Sequence, residues 1–395
     1  MQTRISRILP LILIIIMIPS FVEVDLTLPG FPQMAKYFDS TEAGIQWTLV
    51  INLIGLCLLT LIYGPVSEAI GRKKILTWGC GLFFLGSIGC LIANNLEFLY
   101  FSRFLQGLGC SAIWVVGFTV CSDVYQGDKS VEVFGVLNAA ISASLVMAPV
   151  IGAFIVAIYN WQATFVIVAI LSFISLATTL AILPETHTVR KSFLFKEAVR
   201  DYYQLTFNFR FLIYALTPSI LLAAFISYVS SVPFLYIEKL GMQYGVFAMH
   251  QAMIASCLAI VGFYSGRIDK KIGSPNCIMI SVIICVVGSL LLLMNSYFWP
   301  TSSKLFTASM MMICSGTSLQ FSMVFSRSLE IFPMLRGAAS SLITFFRLIL
   351  FILSVIFATT YFTGLLYDTA KVIAIIIFIG LALSLYVRYD LKRHK

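Results

Sequence analysis

Twelve membrane-spanning α-helices in two bundles of six are what this sequence predicts, an all-α membrane protein, and three observations predict it. Hydrophobic residues make up 60% of the chain and charged residues only 11%, with a mean hydropathy of +0.97, whereas a soluble chain has about a quarter of its residues charged. Apolar runs close to the ~20 residues that cross about 30 Å of hydrocarbon recur along the whole length. The longest polar connection, residues 184–210, falls midway and divides them six and six.

In chain order the runs cover 8–34, 46–63, 75–93, 98–120, 131–158, 164–183, 211–234, 246–264, 277–293, 305–325, 337–362 and 372–386. The first has a basic flank like a signal peptide, but Pro19 to Asp25 lacks a small-residue cleavage site and Pro29 does not end the apolar stretch. It is expected to stay uncleaved. The division gives an N-terminal six-helix bundle over 1–183, a cytoplasmic linker over 184–210 and a C-terminal bundle over 211–395. Within the linker, the mixture from Phe193 to Arg200 suits a short helix lying on the membrane surface.

Basic residues set the orientation. With the N-terminus inside, 20 of the 26 Lys and Arg residues fall on the cytoplasmic side. Lys36, Lys239, Lys304 and Lys371 fall outside, and Arg103 and Arg347 lie within spans. That asymmetry predicts both termini in the cytoplasm. The net charge of +9 is then a consequence of insertion, and no nucleic acid is needed as a partner. The nine cysteines sit mostly inside apolar runs without Cys-x-x-Cys or Cys/His spacing, which predicts small packing residues rather than metal ligands.

The stretch from Pro19 to Pro32 carries the functional argument. It places two carboxylates, Glu23 and Asp25, inside the first run. An ionisable group in hydrocarbon costs roughly 2.5 to 3.5 kcal/mol on insertion scales, so it is retained for a task such as carrying protons or binding a polar solute.

The two halves echo one another. Gly64 to Lys74 lies between spans two and three, and Ser265 to Gly273 between spans eight and nine; each has an acid, basic residues and a glycine. Glycine allows a tight bend and the charges bridge neighbouring helix ends, as in transporters built from repeats.

On these residues the chain resembles the major facilitator superfamily, and within it the proton-coupled drug-export branch typified by bicyclomycin-resistance (Bcr/CflA) proteins. The resemblance covers nearly the whole chain. The turn Gly64 to Leu76 is similar to G-x-x-x-D-x-x-G-R-K/R, with Glu68 in place of the usual Asp. The resemblance implies a cytoplasmic gate of Gly64, Glu68, Gly71, Arg72 and Asp123, with Arg72 pairing with Glu68 and Asp123 and with Glu68 meeting span eleven near Gly337.

Span four contains Arg103-Phe104-Leu105-Gln106-Gly107, similar to the family's R-x-x-Q-G. A guanidinium inside a span does not lose its proton and needs a carboxylate or carbonyl partner. Asp25 lies at comparable depth, so an Asp25–Arg103 pair is the expectation. Residues 23 and 25 stand about 200° apart around a helix, so the two acids do not share a face. The segment Asp25 to Pro32 resembles the branch's D-x-x-L-P-x-x-P, which implies Asp25 as the coupling acid. Glu23 has no counterpart there and is left to substrate choice or to packing.

Span five has Ala140, Ser144, Ala148 and Gly152 at every fourth position, a stripe that lets helix backbones approach. With Pro149, the segment from Ser144 resembles the antiporter motif G-x-x-x-G-P-x-x-G-G, with alanine and serine replacing some glycines. Candidate cavity residues are Trp114, Asn138, Tyr228, Ser231, Gln320 and Arg347. Arg347, a turn beyond Ser340 and Thr344, suits a substrate carboxylate or phosphate, or pairs with a carboxylate such as Glu23.

The sequence has no Walker loop, nucleophile–base constellation or metal-ligand cluster. The expectation is therefore no enzyme, no cofactor and no metal. Ion gradients supply about 1.4 kcal/mol per pH unit and about 2.3 kcal/mol per 100 mV per charge, enough for uphill transport. The whole predicts a monomeric, multi-pass protein of the bacterial inner membrane whose partners are protons, a small-molecule substrate and the lipid bilayer. It exports drugs by alternating access. The alternatives are a transporter of an anionic metabolite or siderophore, and a non-transporting membrane sensor.

Overall fold

The computed structural model describes residues 2–125, 128–186 and 195–393, and among these every regular element is helical. Eleven segments are long and apolar enough to cross a membrane, and a bent helix pair brings the count to twelve.

Several spans are interrupted, and the interruptions have local causes. Helix α1 (Gln2–Thr27) passes through a 3-10 turn, Leu28–Gly30, into α2 (Phe31–Tyr37). Pro29 and Pro32 lack the N–H that would continue the ladder but suit the first turn of a new helix. The second span is α3 (Glu42–Leu58) followed by α4 (Thr60–Ile70), bent by 41°. At the bend, the Thr60 hydroxyl donates to the Leu56 carbonyl at 2.7 Å and lies 3.2 Å from Ser111 Oγ. A side chain inserted into the i to i−4 ladder is a recognised cause of a kink. That second span runs further at both ends than the 46–63 expected.

The remaining helices of the first half are α5 (Arg72–Leu91), α6 (Leu96–Val124), α7 (Asp128–Ile158) and α8 (Trp161–Ala181). The second half comprises α9 (Phe195–Thr206), α10 (Phe209–Pro233), α11 (Tyr244–Ile272), α12 (Ser274–Phe298), α13 (Ser303–Glu330), α14 (Arg336–Thr360) and α15 (Leu366–Arg393). Of the surface helix expected over 193–200, Phe193 and Leu194 lie outside the described residues. The helix that follows runs further, to Thr206, with Tyr203 exposed and Leu205 buried.

Contacts divide the chain into two compact units, Met1–Phe195 and Lys196–Lys395. In the first, α1 packs on α7 and α8, α3 on α6, and α5 on α6 and α8. In the second, α10 packs on α14 and α15, α11 on α13, and α12 on α13 and α15. These are the same five pairings repeated, which gives the faint echo between the halves a structural basis. The echo extends to backbone geometry: Gly71 and Gly273 close the two corresponding turns with φ of 118° and 83°.

Large apolar side chains remain exposed along the helices, among them Leu11, Trp78, Leu85, Phe154, Phe263 and Leu353. So much apolar surface suits lipid rather than water. None of the nine cysteines forms a disulfide among the described residues, and eight of them are buried.

Candidate functional site

The centre of the first unit is polar. Arg103 of α6 is buried, with 2% of its surface exposed, and its Nη1 lies 2.7 Å from Oε2 of Glu23, itself 1% exposed. Its Nη2 donates to Thr27 Oγ1 at 2.8 Å and its Nη1 also donates to Gln106 Oε1 at 2.9 Å. Asn52 of α3 donates to Glu23 Oε1 at 2.9 Å, and Gln106 donates to Ser87 Oγ of α5 at 3.0 Å. The guanidinium carbon sits 4.7 Å from the centroid of the Phe165 ring on α8. Five helices thus converge on one ion pair, with hydrogen bonds to both charged partners.

Here the structure corrects an expectation. Arg103 pairs with Glu23 and not with Asp25. The reason is helical phase: Glu23 and Thr27 are four residues apart and present one face of α1 to α6, whereas Asp25 lies between them on another side. Asp25 is half-buried, and no hydrogen bond or ion pair to its carboxylate occurs among the described residues. Four residues before it, Phe21 stacks on Trp114 with centroids 4.4 Å apart and ring planes at 7°. The Trp114 indole N–H donates to the Ser20 carbonyl at 3.3 Å. Helix α1 therefore has a sealed face, Glu23–Thr27, and a more open one carrying Asp25 and a half-buried aromatic pair.

The small-residue stripe of α7 meets α1 beside this site. A Cβ on Gly152 would collide with the Leu26 carbonyl, so the helices touch backbone to backbone next to Asp25. Ala148 and Pro149 are buried, and Ser144 turns its hydroxyl onto the Ile141 carbonyl at 2.7 Å.

At the turn between α4 and α5, Arg72 Nε donates to Asp123 Oδ2 at 2.9 Å, and Arg72 Nη2 lies 3.5 Å from Glu68 Oε1. Arg72 Nη1 donates to the Gly64 carbonyl at 3.3 Å. Sequence reasoning missed two members: Ser67, whose hydroxyl accepts from Arg72 Nη1, and Glu185, whose carboxylate accepts the Arg72 backbone N–H at 3.0 Å. A Cβ on Gly71 would collide with that carboxylate, and φ of 118° already disfavours any L side chain. Gly71→Ala is therefore expected to cost about 1–3 kcal/mol from the backbone alone, and more from displacing Glu185. The check is thermal unfolding of purified protein; an unchanged transition would remove this turn as a constrained element.

The cavity candidates are scattered. Asn138 is exposed on α7 and donates to the Phe134 carbonyl at 2.9 Å. Tyr228 is buried and accepts from Gln251 at 2.8 Å. Ser231 and Gln320 are buried with polar side-chain atoms that find no partner among the described residues. Arg347 is half-buried and, among the described residues, reaches only Thr344 Oγ1, at 3.4 Å. No hydrogen bond or ring contact joins any two of these candidates among the described residues. Asn52, Thr27, Gln106 and Ser87 were also missed as site members; the available signal was a lone amide or hydroxyl within an apolar run.

Comparison with known proteins gives a consistent picture. The family model described as Major Facilitator Superfamily matches residues 13–355. The chain is 28% identical over 320 residues to the multidrug resistance protein MdtL of Shigella dysenteriae, covering 80% of each. It is 27% identical over 321 residues to the protein of that name from Shewanella oneidensis, covering 81% of this chain and 80% of the relative. Among solved structures, a D-xylose-proton symporter superposes with TM-score 0.76 at 13% identity, covering 96% of this chain and 97% of the other. The nucleoside transporter NupG superposes with TM-score 0.73 at 16% identity, covering 96% and 98%.

Proposed function

Because the chain belongs to the Major Facilitator Superfamily, we propose that it is a proton-coupled exporter of drug-like small molecules, working by alternating access with both termini in the cytoplasm. The relatives named as multidrug resistance proteins support the substrate class. The observation that carries proton coupling is the division of labour on α1. Glu23 is held by Arg103 and Asn52, while Asp25 has no such partner among the described residues and shares its face with Phe21 of the Phe21–Trp114 stack.

In this reading the Glu23–Arg103 pair is a fixed strut. Both of its charges are hydrogen-bonded, so each stabilises the other's ionised form in a low-dielectric setting. Asp25 is the group that takes a proton from one compartment and gives it up in the other. A substrate whose apolar portion stacks against the aromatic pair would lie within reach of that carboxyl, so that occupancy by substrate and occupancy by the proton are coupled. The turn around Arg72 holds the cytoplasmic ends of α4, α5 and α6 together in one state and releases them in the other.

The test uses everted membrane vesicles containing the protein and energised to an acid interior. Adding a drug-like amphiphile is expected to release protons in proportion to its uptake, and dissipating the gradient is expected to stop that uptake. Binding without proton movement or uptake would point to a sensor and sink the exporter reading.

A further inference from the structure

Within the second unit, the charge at the middle of a membrane-spanning helix has no counter-charge among the described residues. Arg347 lies near the middle of α14 (Arg336–Thr360). The carboxylates described in that unit, Asp201, Glu238, Asp269, Glu330, Asp368 and Asp390, all lie away from the middle of any span. Four of them are engaged elsewhere: Asp201 with Arg200 at 3.7 Å, Glu330 with Arg327 at 3.1 Å, Asp368 with Lys371 at 2.9 Å and Asp390 with Arg210 at 2.8 Å. No ion pair to Arg347 occurs among the described residues. Its one hydrogen bond, to Thr344 Oγ1, is long at 3.4 Å.

The contrast with Arg103 is instructive. That guanidinium has a carboxylate, a hydroxyl, an amide and an aromatic ring within contact distance. Arg347 has most of its five N–H groups unoccupied, in a fork geometry that matches a carboxylate or phosphate in bidentate fashion.

Its position on the helix separates it from the lipid-facing side. Ser340, Thr344, Arg347 and Ser354 follow one another at spacings of four, three and seven, which lines them along one side of α14. Phe345, Phe346, Ile349, Ile352, Leu353 and Ile356 supply the apolar remainder. The Thr344 hydroxyl donates to the Ser340 carbonyl at 2.9 Å, which leaves its oxygen free to accept from Arg347 and to orient it. An arginine on the polar side of a span marks a solute path rather than a lipid contact.

We propose that Arg347 recognises an anionic group on the transported compound, so that the substrates are amphiphiles bearing a carboxylate or a phosphate rather than lipophilic cations. This rests on the export reading above.

The test reconstitutes the purified full chain into liposomes holding a pH-sensitive dye. Three probes of similar size are compared: an aromatic monocarboxylate, an aromatic phosphate monoester and a lipophilic cation. The anionic probes are expected to move protons, and Arg347→Met is expected to raise their half-saturating concentration tenfold or more, with partial recovery in Arg347→Lys. If Arg347→Met is not recovered as folded protein, Arg347→Lys decides. A shift confined to the anionic probes supports the inference, and an unchanged response overturns it. A response to the cation alone, equal in parent and variant, overturns the inference and leaves export standing. No proton movement with any probe overturns both.

Discussion

Asp25→Asn is expected to abolish gradient-driven uptake into everted vesicles while leaving the protein folded and able to bind and exchange substrate without a gradient. The substitution keeps the size and hydrogen-bonding capacity of the side chain and removes only its proton. It disturbs no ion pair, since the Asp25 carboxylate makes none among the described residues. Folding should therefore be nearly unaffected, and the effect should fall on coupling alone. The discriminating measurement is a pair of assays on one preparation, uptake driven by a pH difference and exchange with no pH difference. If both survive in Asp25→Asn and driven uptake is lost in Glu23→Gln instead, the proton carrier is Glu23.

Breaking the buried pair is expected to have the opposite signature. Arg103→Met leaves Glu23 charged and buried with only Asn52 for company, and Glu23→Leu leaves the guanidinium without an anion. Removing one member of a buried ion pair costs about 3–5 kcal/mol, a large share of the ~5–15 kcal/mol margin of a typical domain. Each single variant should lose most of its monodisperse yield after detergent extraction. The double variant Glu23→Leu/Arg103→Met should recover part of it. Recovery stays incomplete because Asn52, Thr27 and Gln106 lose partners in the same step. A double variant no better than either single would mean that the two side chains do not act as a pair.

The two predictions separate what a sequence reader joins. Glu23 and Asp25 stand two residues apart in one apolar run, and composition treats them alike. The family pattern singles out Asp25, and depth alone makes Arg103 its expected partner. Only the facing of α1 against α6 assigns Arg103 to Glu23, although Thr27 at i+4 from Glu23 was a legible sign of that face. The gate residues behaved differently. Glu68, Arg72 and Asp123 meet as the resemblance implied, because two of them lie four residues apart in one turn. Glu185 escaped notice because its partner is a backbone N–H 113 residues away, and no local pattern encodes such a contact.

By itself the sequence determined the class of solvent and the number of spans. These follow from local sums of transfer free energy, which each apolar run carries independently of its neighbours. Only the tertiary structure decided which buried charge is neutralised and which stays open, locking Glu23 and leaving Asp25 and Arg347 without an ion pair among the described residues. Electrostatic pairing depends on distances between helices and on rotation about each axis, and a change of one residue in phase, about 100°, swaps one partner for another.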